Sequence, residues 1–373
     1  MKKKKILYLM HVDWCWIKQR PHFFAEGLSE QYQVTVCHKL GYGRKMLMSV
    51  PKPENVILKK VFAFPFSRLS IVEQINKWIF SLVVKCLASQ ADIIWLTHPS
   101  MFDGLAETLA IDKIVIYDCM DDCLGFRNAL VCPRKNTEIR DAEGSLINRA
   151  NRIFVSSDHL RELLIQRYRR SDGLRVVNNG IEIPSQVDLI SEHFDSAQVE
   201  YIRSISGCKI LYFGTISDWF DFALLDGALN LSKNVHFILV GPREVAGPKH
   251  PRIHYLPAVE HRTVFKLMQV CDGLMMPFIL NDLVKSVNPV KVYEYIFSGK
   301  PALVLSYGET LKFSDYVYLY SNPSEFTYFV EELASGRLRE KISIDDSRRF
   351  LRNCSWKQRL NEIFNEIESV VDC

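Results

Sequence analysis

The feature that most constrains this chain is its repeating rhythm. Short apolar runs rich in Val, Ile and Leu alternate with amphipathic stretches, first from KILYLM through QVTVCH, DIIWLT, KIVIYD, RIFVSS and LRVVNN. Between them lie helical patterns such as PHFFAEGLSE, VEQINKWIFSLVVKCLA and SDHLRELLIQRY. Strands that are apolar on both faces and separated by helices argue for a parallel sheet covered on both sides. The rhythm breaks at NNGIEIPSQVDL, whose Asn178, Asn179, Gly180 and Pro184 read as a linker, and then resumes with KILYFG, VHFILVG, IHYLP, DGLMMP and PALVLS. Two successive α/β units of similar size follow. The first is expected over 1–182 and the second over 183–354, with the closing helical segment 355–373 returning to the first.

A chain of 373 residues suits this division, because one core rarely grows that large. With 48% hydrophobic and 24% charged residues it has the balance of a globular protein. A formal net charge of +4 is too small to argue for nucleic acid. The ten cysteines are scattered and include no CxxC pair, so they read as reduced thiols, and a cytoplasmic protein is expected. The opening MKKKKILYLMHVDWC has too short an apolar run for a signal peptide, and KWIFSLVVKCLA is interrupted by Lys77 and Lys85. Peripheral contact with the inner face of a membrane stays open, through the lysines at 2–5 and through Phe62, Phe64 and Phe66. The alternative is a solvated strand start.

In doubly wound sheets, ligands sit beyond the carboxyl ends of the strands. Polar residues there are His11, Asp13 and Trp14; Thr97 and His98; Asp118, Asp121 and Asp122; and, in the second half, residues 214–221, 241–244 and 277–288. They are expected to converge on one cleft. SVNPVKVYEYIFSGKPALV is the most explicit of these segments. Asn288 reads as an N-cap, Pro289 as the first helical residue and Gly299 as the stop, with Lys291 and Glu294 on one face.

NPVKVYEYIFSGKPALV, preceded by CDGLMMPF and IHYLPAV, resembles the nucleotide-sugar half of GT-B glycosyltransferases, in particular retaining family 4. VVNNGIE resembles their interdomain segment and KILYFGTISDWFD their glycine-bearing first strand and loop. DWCWIKQRPHFFAEGL and IVIYDCMDD resemble bacterial transferases that build capsular, teichuronic-acid-type or O-antigen polysaccharides. The resemblance implies two Rossmann-like domains facing a central cleft. It also implies transfer of a sugar, with retention and without a metal, from a nucleoside diphosphate donor to a polysaccharide or lipid-linked glycan acceptor. UDP is the expected carrier, and no further cofactor is expected. Glu294 would hold the ribose diol, while Lys291 and the amides after Asn288 meet the diphosphate. Gly214, Thr215, Asp218, Trp219, Asp221, Arg243 and Lys285 complete the expected donor set.

Departures from the family pattern are specific. Its first glutamate falls on Ser286, and its arginine and lysine fall on Thr215 and Asp221. SDWFD reads equally as a capped helix start with an aromatic plug. His98 stands where the family often has an active-site histidine, and Asp121 or Asp122 are candidates for acid–base assistance. Closely spaced aspartates also suit a divalent ion. Asp13, Trp14, Trp16 and Arg20 form the candidate acceptor platform, with core plugs as the competing reading for the two tryptophans. A sugar-nucleotide epimerase and a non-catalytic nucleotide- or sugar-binding protein remain as alternatives.

Overall fold

The computed structural model describes residues 3–15, 17–41, 53–66, 69–105, 112–183 and 197–371. The chain divides into two compact units, one of residues 1–179 with 356–373, the other of residues 180–355. Trp16 and most of the linker after Ile183 lie outside the described residues.

The first unit contains β1 (Lys5–Met10), α1 (Arg20–Leu28), β2 (Gln33–Gly41), β3 (Val56–Ala63), α2 (Ser70–Ala88), β4 (Ile93–Leu96), β5 (Ile114–Cys119), α3 (Arg127–Leu130), α4 (Pro133–Arg149), β6 (Arg152–Val155), α5 (Asp158–Tyr168) and β7 (Leu174–Val176). Its strands pair in parallel in the order β3-β2-β1-β4-β5-β6-β7. Alternate residues of the central strands feed two cores. Leu7, Leu9, Ile94 and Leu96 pack with Phe80 and Val84 of α2, while Ile6, Tyr8, Ile93 and Trp95 pack with Phe24 of α1. Period-two alternation in a sheet apolar on both faces produces this division.

The second unit contains α6 (Ala197–Ser204), β8 (Cys208–Phe213), α7 (Phe222–Leu231), β9 (Val235–Val240), β10 (Ile253–Leu256), α8 (His261–Val270), β11 (Gly273–Met276), α9 (Asp282–Ser286), α10 (Val290–Ser298), β12 (Ala302–Leu305), β13 (Tyr318–Tyr320), α11 (Pro323–Ala334) and α12 (Ile344–Arg352). Its parallel sheet runs β10-β9-β8-β11-β12-β13 around a single core. The last helix, α13 (Trp356–Val371), belongs to the first unit. There Trp356 stacks on Phe23 at 4.6 Å between ring centroids, and Leu360 sits so close to Gly27 that a side chain there would collide with it.

In each sheet the strand order reverses once, between β1 and β4 and between β8 and β11. At such a reversal the connections leave to opposite faces and open a crevice beyond the strand ends. His11 and Thr97 follow the strands at the first reversal, and Gly214 and Pro277 follow them at the second.

Candidate functional site

The second unit assembles its site at the β8/β11 reversal. Gly214 (φ 131°) and Gly241 (φ 142°) both adopt backbone that side chains disfavour, and a Cβ on Gly241 would come within 2.3 Å of the Gly214 carbonyl oxygen. A Cβ on Gly214 would lie 2.4 Å from Lys291 Cε and 2.8 Å from its Nζ. The glycine therefore makes the space in which this lysine lies. Its Nζ stands 5.8 Å from the Tyr212 ring centroid and 5.9 Å from that of Phe278. Among the described residues it forms no hydrogen bond or ion pair. Burial lowers its pKa from the ordinary lysine value, and the nearby Glu294 carboxylate opposes that shift.

Glu294, one turn further along α10, is buried, and its Oε1 pairs with Nε2 of the half-exposed His261 at the start of α8. Gly299 ends α10 in the left-handed conformation, as expected (φ 71°). The beginning of the helix differs from expectation. Pro289 occupies the N-cap position and no side chain caps the turn. Asn288 is buried instead, donating from Nδ2 to Glu309 Oε2 at 3.2 Å and accepting from the Tyr293 hydroxyl at 3.3 Å. A buried carboxylate attracts the amide more strongly than the helix start does. Ser286, at the family's first glutamate, turns inward and donates to the Leu283 carbonyl at 2.7 Å.

The remaining donor candidates separate. Thr215 offers its carbonyl to the Tyr212 hydroxyl at 2.7 Å. Asp221 caps α7, accepting from the Ala223 and Leu224 amides at 3.0 and 3.3 Å, and Phe220 plugs the core. The capped-start reading of SDWFD thus describes Asp221 and Phe220. Trp219 is half-buried against that core and Asp218 is exposed. Lys285 pairs with Asp282 at 3.0 Å on the surface. Arg243 lies over the Tyr255 ring at 4.8 Å and lines a cavity of about 590 Å³ with Lys249 and His250.

In the first unit, His11 and His98 face each other at the β1/β4 reversal, with ring centroids 5.3 Å apart. Thr97 Oγ1 fixes His11 Nδ1 at 2.7 Å, and His98 Nδ1 accepts from the Ser100 amide at 3.1 Å. Burial holds both rings neutral, with pKa values lowered to about 3 for His11 and about 4 for His98.

The aspartates after β5 diverge. Asp118 is fully buried and accepts from Nε and Nη2 of Arg20 at 2.9 and 2.8 Å. Asp122 binds both terminal nitrogens of Arg167, at 2.9 and 3.2 Å. Burial, reinforced by Asp122 and Asp118 and opposed by Arg20, pushes the Asp121 carboxyl up to about 6. Of the two aspartates expected to assist chemistry, Asp121 retains a carboxylate outside these guanidinium pairs.

The acceptor platform is corrected most. Trp14 is a buried core residue beside His22. Arg20 is 2% exposed, and its Nη1 also donates to the Val177 carbonyl at 2.7 Å. Asp13 accepts from the Cys15 amide at 3.0 Å in a local turn and lies near His38. These side chains hold the strand–helix junction together. The sequence marks His11 as a strand-end residue and attaches no role to it. Nothing in the sequence points to His261 or Glu309, whose partners lie 33 and 21 positions away. No local pattern signals either pair.

No family model matches the chain. It is 23% identical over 330 residues, 84% of this chain and 80% of the relative, to TuaH of Bacillus subtilis (strain 168), provisionally named a teichuronic acid biosynthesis glycosyltransferase. Anabaena HepE, solved in complex with UDP-glucose, superposes with a TM-score of 0.69 at 16% identity, covering 98% of this chain and 99% of that one. Sucrose-phosphate synthase from Thermosynechococcus elongatus gives a TM-score of 0.74 at 10% identity, covering 99% and 100%. With its two parallel-sheet α/β units, the chain has the GT-B glycosyltransferase fold.

Proposed function

We propose that the protein is a glycosyltransferase that moves a sugar from a UDP-sugar to a glycan or lipid-linked acceptor, with retention and without a resident metal ion. The observation that carries this reading is Lys291. Among the described residues, a half-buried ammonium with no anionic partner within ion-pair distance stands over Gly214 at the strand reversal, one turn from the buried Glu294. Lys291 and the uncapped first-turn amides of α10 would take the diphosphate, and Glu294 would accept from both ribose hydroxyls. His261 would hold the carboxylate in place until the diol arrives. Placing positive charge where the leaving diphosphate develops negative charge favours its departure from the sugar.

Asp118 and Asp122 are already neutralised by guanidinium groups, which supports a reading without a divalent ion. The neutral His98 and the raised Asp121 suit hydrogen bonding to sugar hydroxyls and proton transfer. The protein would work in the cytoplasm, beside the membrane holding a lipid-linked acceptor.

The test is UDP release from a panel of UDP-sugars, with and without polyprenyl-diphosphate-linked glycans. Release that requires acceptor and product carrying the new sugar are expected. Interconversion of the nucleotide sugars without acceptor would make it an epimerase. Binding with no turnover on any acceptor or on water would make it a binding protein.

A further inference from the structure

α2 has two apolar faces, and the core uses only one. Phe80, Val84 and Ala88 are buried. On the opposite side, Ile71, Ile75, Trp78 and Leu82 stand 43–74% exposed. Their spacing (i, i+4, i+7, i+11) places them within an arc of about 60° at about 100° per residue. A soluble helix normally carries polar residues there. The connection leading into α2 adds to this face. Phe64 and Phe66 are 56% and 76% exposed, and Phe66 is held at φ 66°, a left-handed backbone costly for an aromatic residue. Asn76 of α2 fastens that connection through both backbone groups of Phe64, accepting from its N–H at 2.8 Å and donating to its carbonyl at 3.2 Å. Those bonds hold the aromatic connection against α2.

Charge decides what fits it. Lys85 flanks the stripe on the helix, and the exposed Lys59 precedes the aromatic segment on edge strand β3. Neither makes an ion pair among the described residues. The acids nearby are engaged, Glu73 and Glu138 with Lys77 at 3.4 and 3.5 Å, and Glu138 also with Arg134. Protruding Trp, Phe and Ile tips rimmed by unpaired lysines suit a lipid interface, where rings enter the headgroup boundary and ammonium groups meet phosphates. We infer that this face docks the protein on a bilayer containing anionic lipid. The lysines at 3–5 are not part of it. β1 and β3 run parallel, with Lys5 level with Gln33 and Phe62 level with Leu40, so those lysines lie at the other end of the sheet. Lys3 there donates to the Glu30 carbonyl at 2.8 Å.

The inference rests on the exposed face, and it deepens the proposed function by naming where a lipid-linked acceptor would be met. It is tested on the full chain by co-sedimentation with vesicles of phosphatidylcholine, with and without phosphatidylglycerol. The parent should bind the anionic vesicles. Ile75→Ser with Trp78→Ser should weaken binding at least about tenfold. Lys59→Gln with Lys85→Gln should weaken it about tenfold at low salt and little at high salt. UDP binding by the same variants reports that the fold is intact and reads the donor site separately. Parent protein that ignores the vesicles, or variants that bind them as the parent does, would overturn the proposal. So would sedimentation showing that the apolar variants only convert a dimer to a monomer, which would make the face a contact between copies.

Discussion

Lys291 and Glu294 carry the donor reading at the scale of single residues, and they fail differently when altered. Lys291→Ala removes the ammonium offered to the diphosphate at this crevice and should weaken UDP binding about 10- to 100-fold, the worth of a charge-assisted contact. It should leave uridine binding nearly unchanged. Gly214→Ala should have a similar effect without touching a ligand, because its Cβ would enter the volume of Lys291 Cε. The titrating groups of the first unit make a separate prediction. Asp121 has a folded pKa raised from 3.8 to about 6, so its stability contribution is full below pH 3.8 and is lost as pH rises through 6. Asp121→Asn should therefore add up to about 3 kcal/mol of stability at pH 8, read as a higher melting temperature, and leave stability unchanged near pH 4. The histidines have the opposite sign. Depressed from 6.5 to about 3 and about 4, His11 and His98 contribute stability at neutral pH that fades as pH falls from 6.5 towards 4. His11→Gln should flatten that acid limb in thermal melts between pH 7 and pH 4.

The elements show what the sequence could and could not reveal. The central strands were legible because burial on both faces writes an uninterrupted apolar run. The two unforeseen strands are both edges. β3 carries Lys59 and Lys60 in its middle, and β13 is three residues long; charge and shortness are ways in which edges avoid mispairing. α4, unforeseen as well, reads as a polar loop because only Ala142, Glu143, Leu146 and Ile147 are buried. The α10 segment announced its stop through Gly299 but misled at its start, since Glu309 lies too far along the chain for the Asn288 pairing to be anticipated. Trp14 and Arg20 show the same limit in reverse. Residue type suited a sugar platform, while burial and an Asp118 partner 98 positions away determined their use. At Gly241, where backbone meets backbone, Gly241→Ala should cost about 1–3 kcal/mol in denaturant melts, since neither the positive φ nor the Gly214 carbonyl accommodates a methyl group.

Across the whole chain, the first unit is completed only by its last helix. Trp356, Leu360, Ile363, Phe364 and Ile367 are buried on the sheet face that α1 shares. At about 1.5–3 kcal/mol each, their removal approaches the entire stability of a typical domain, about 5–15 kcal/mol. Ending the chain at Ser355 should leave residues 1–179 unfolded, visible as a loss of helical circular dichroism beyond that of α13 itself. Residues 180–355, with their own core, should keep theirs. The central claim is a nucleoside diphosphate site built by α10 against the β8/β11 reversal. Calorimetric titration with UDP, GDP, ADP and dTDP in EDTA, repeated with magnesium and on Glu294→Ala, tests it most directly. Preferential binding of UDP in EDTA, weakened at least about tenfold by losing the ribose-binding carboxylate, is the expected result. Binding that requires the metal and ignores Glu294 would contradict the account.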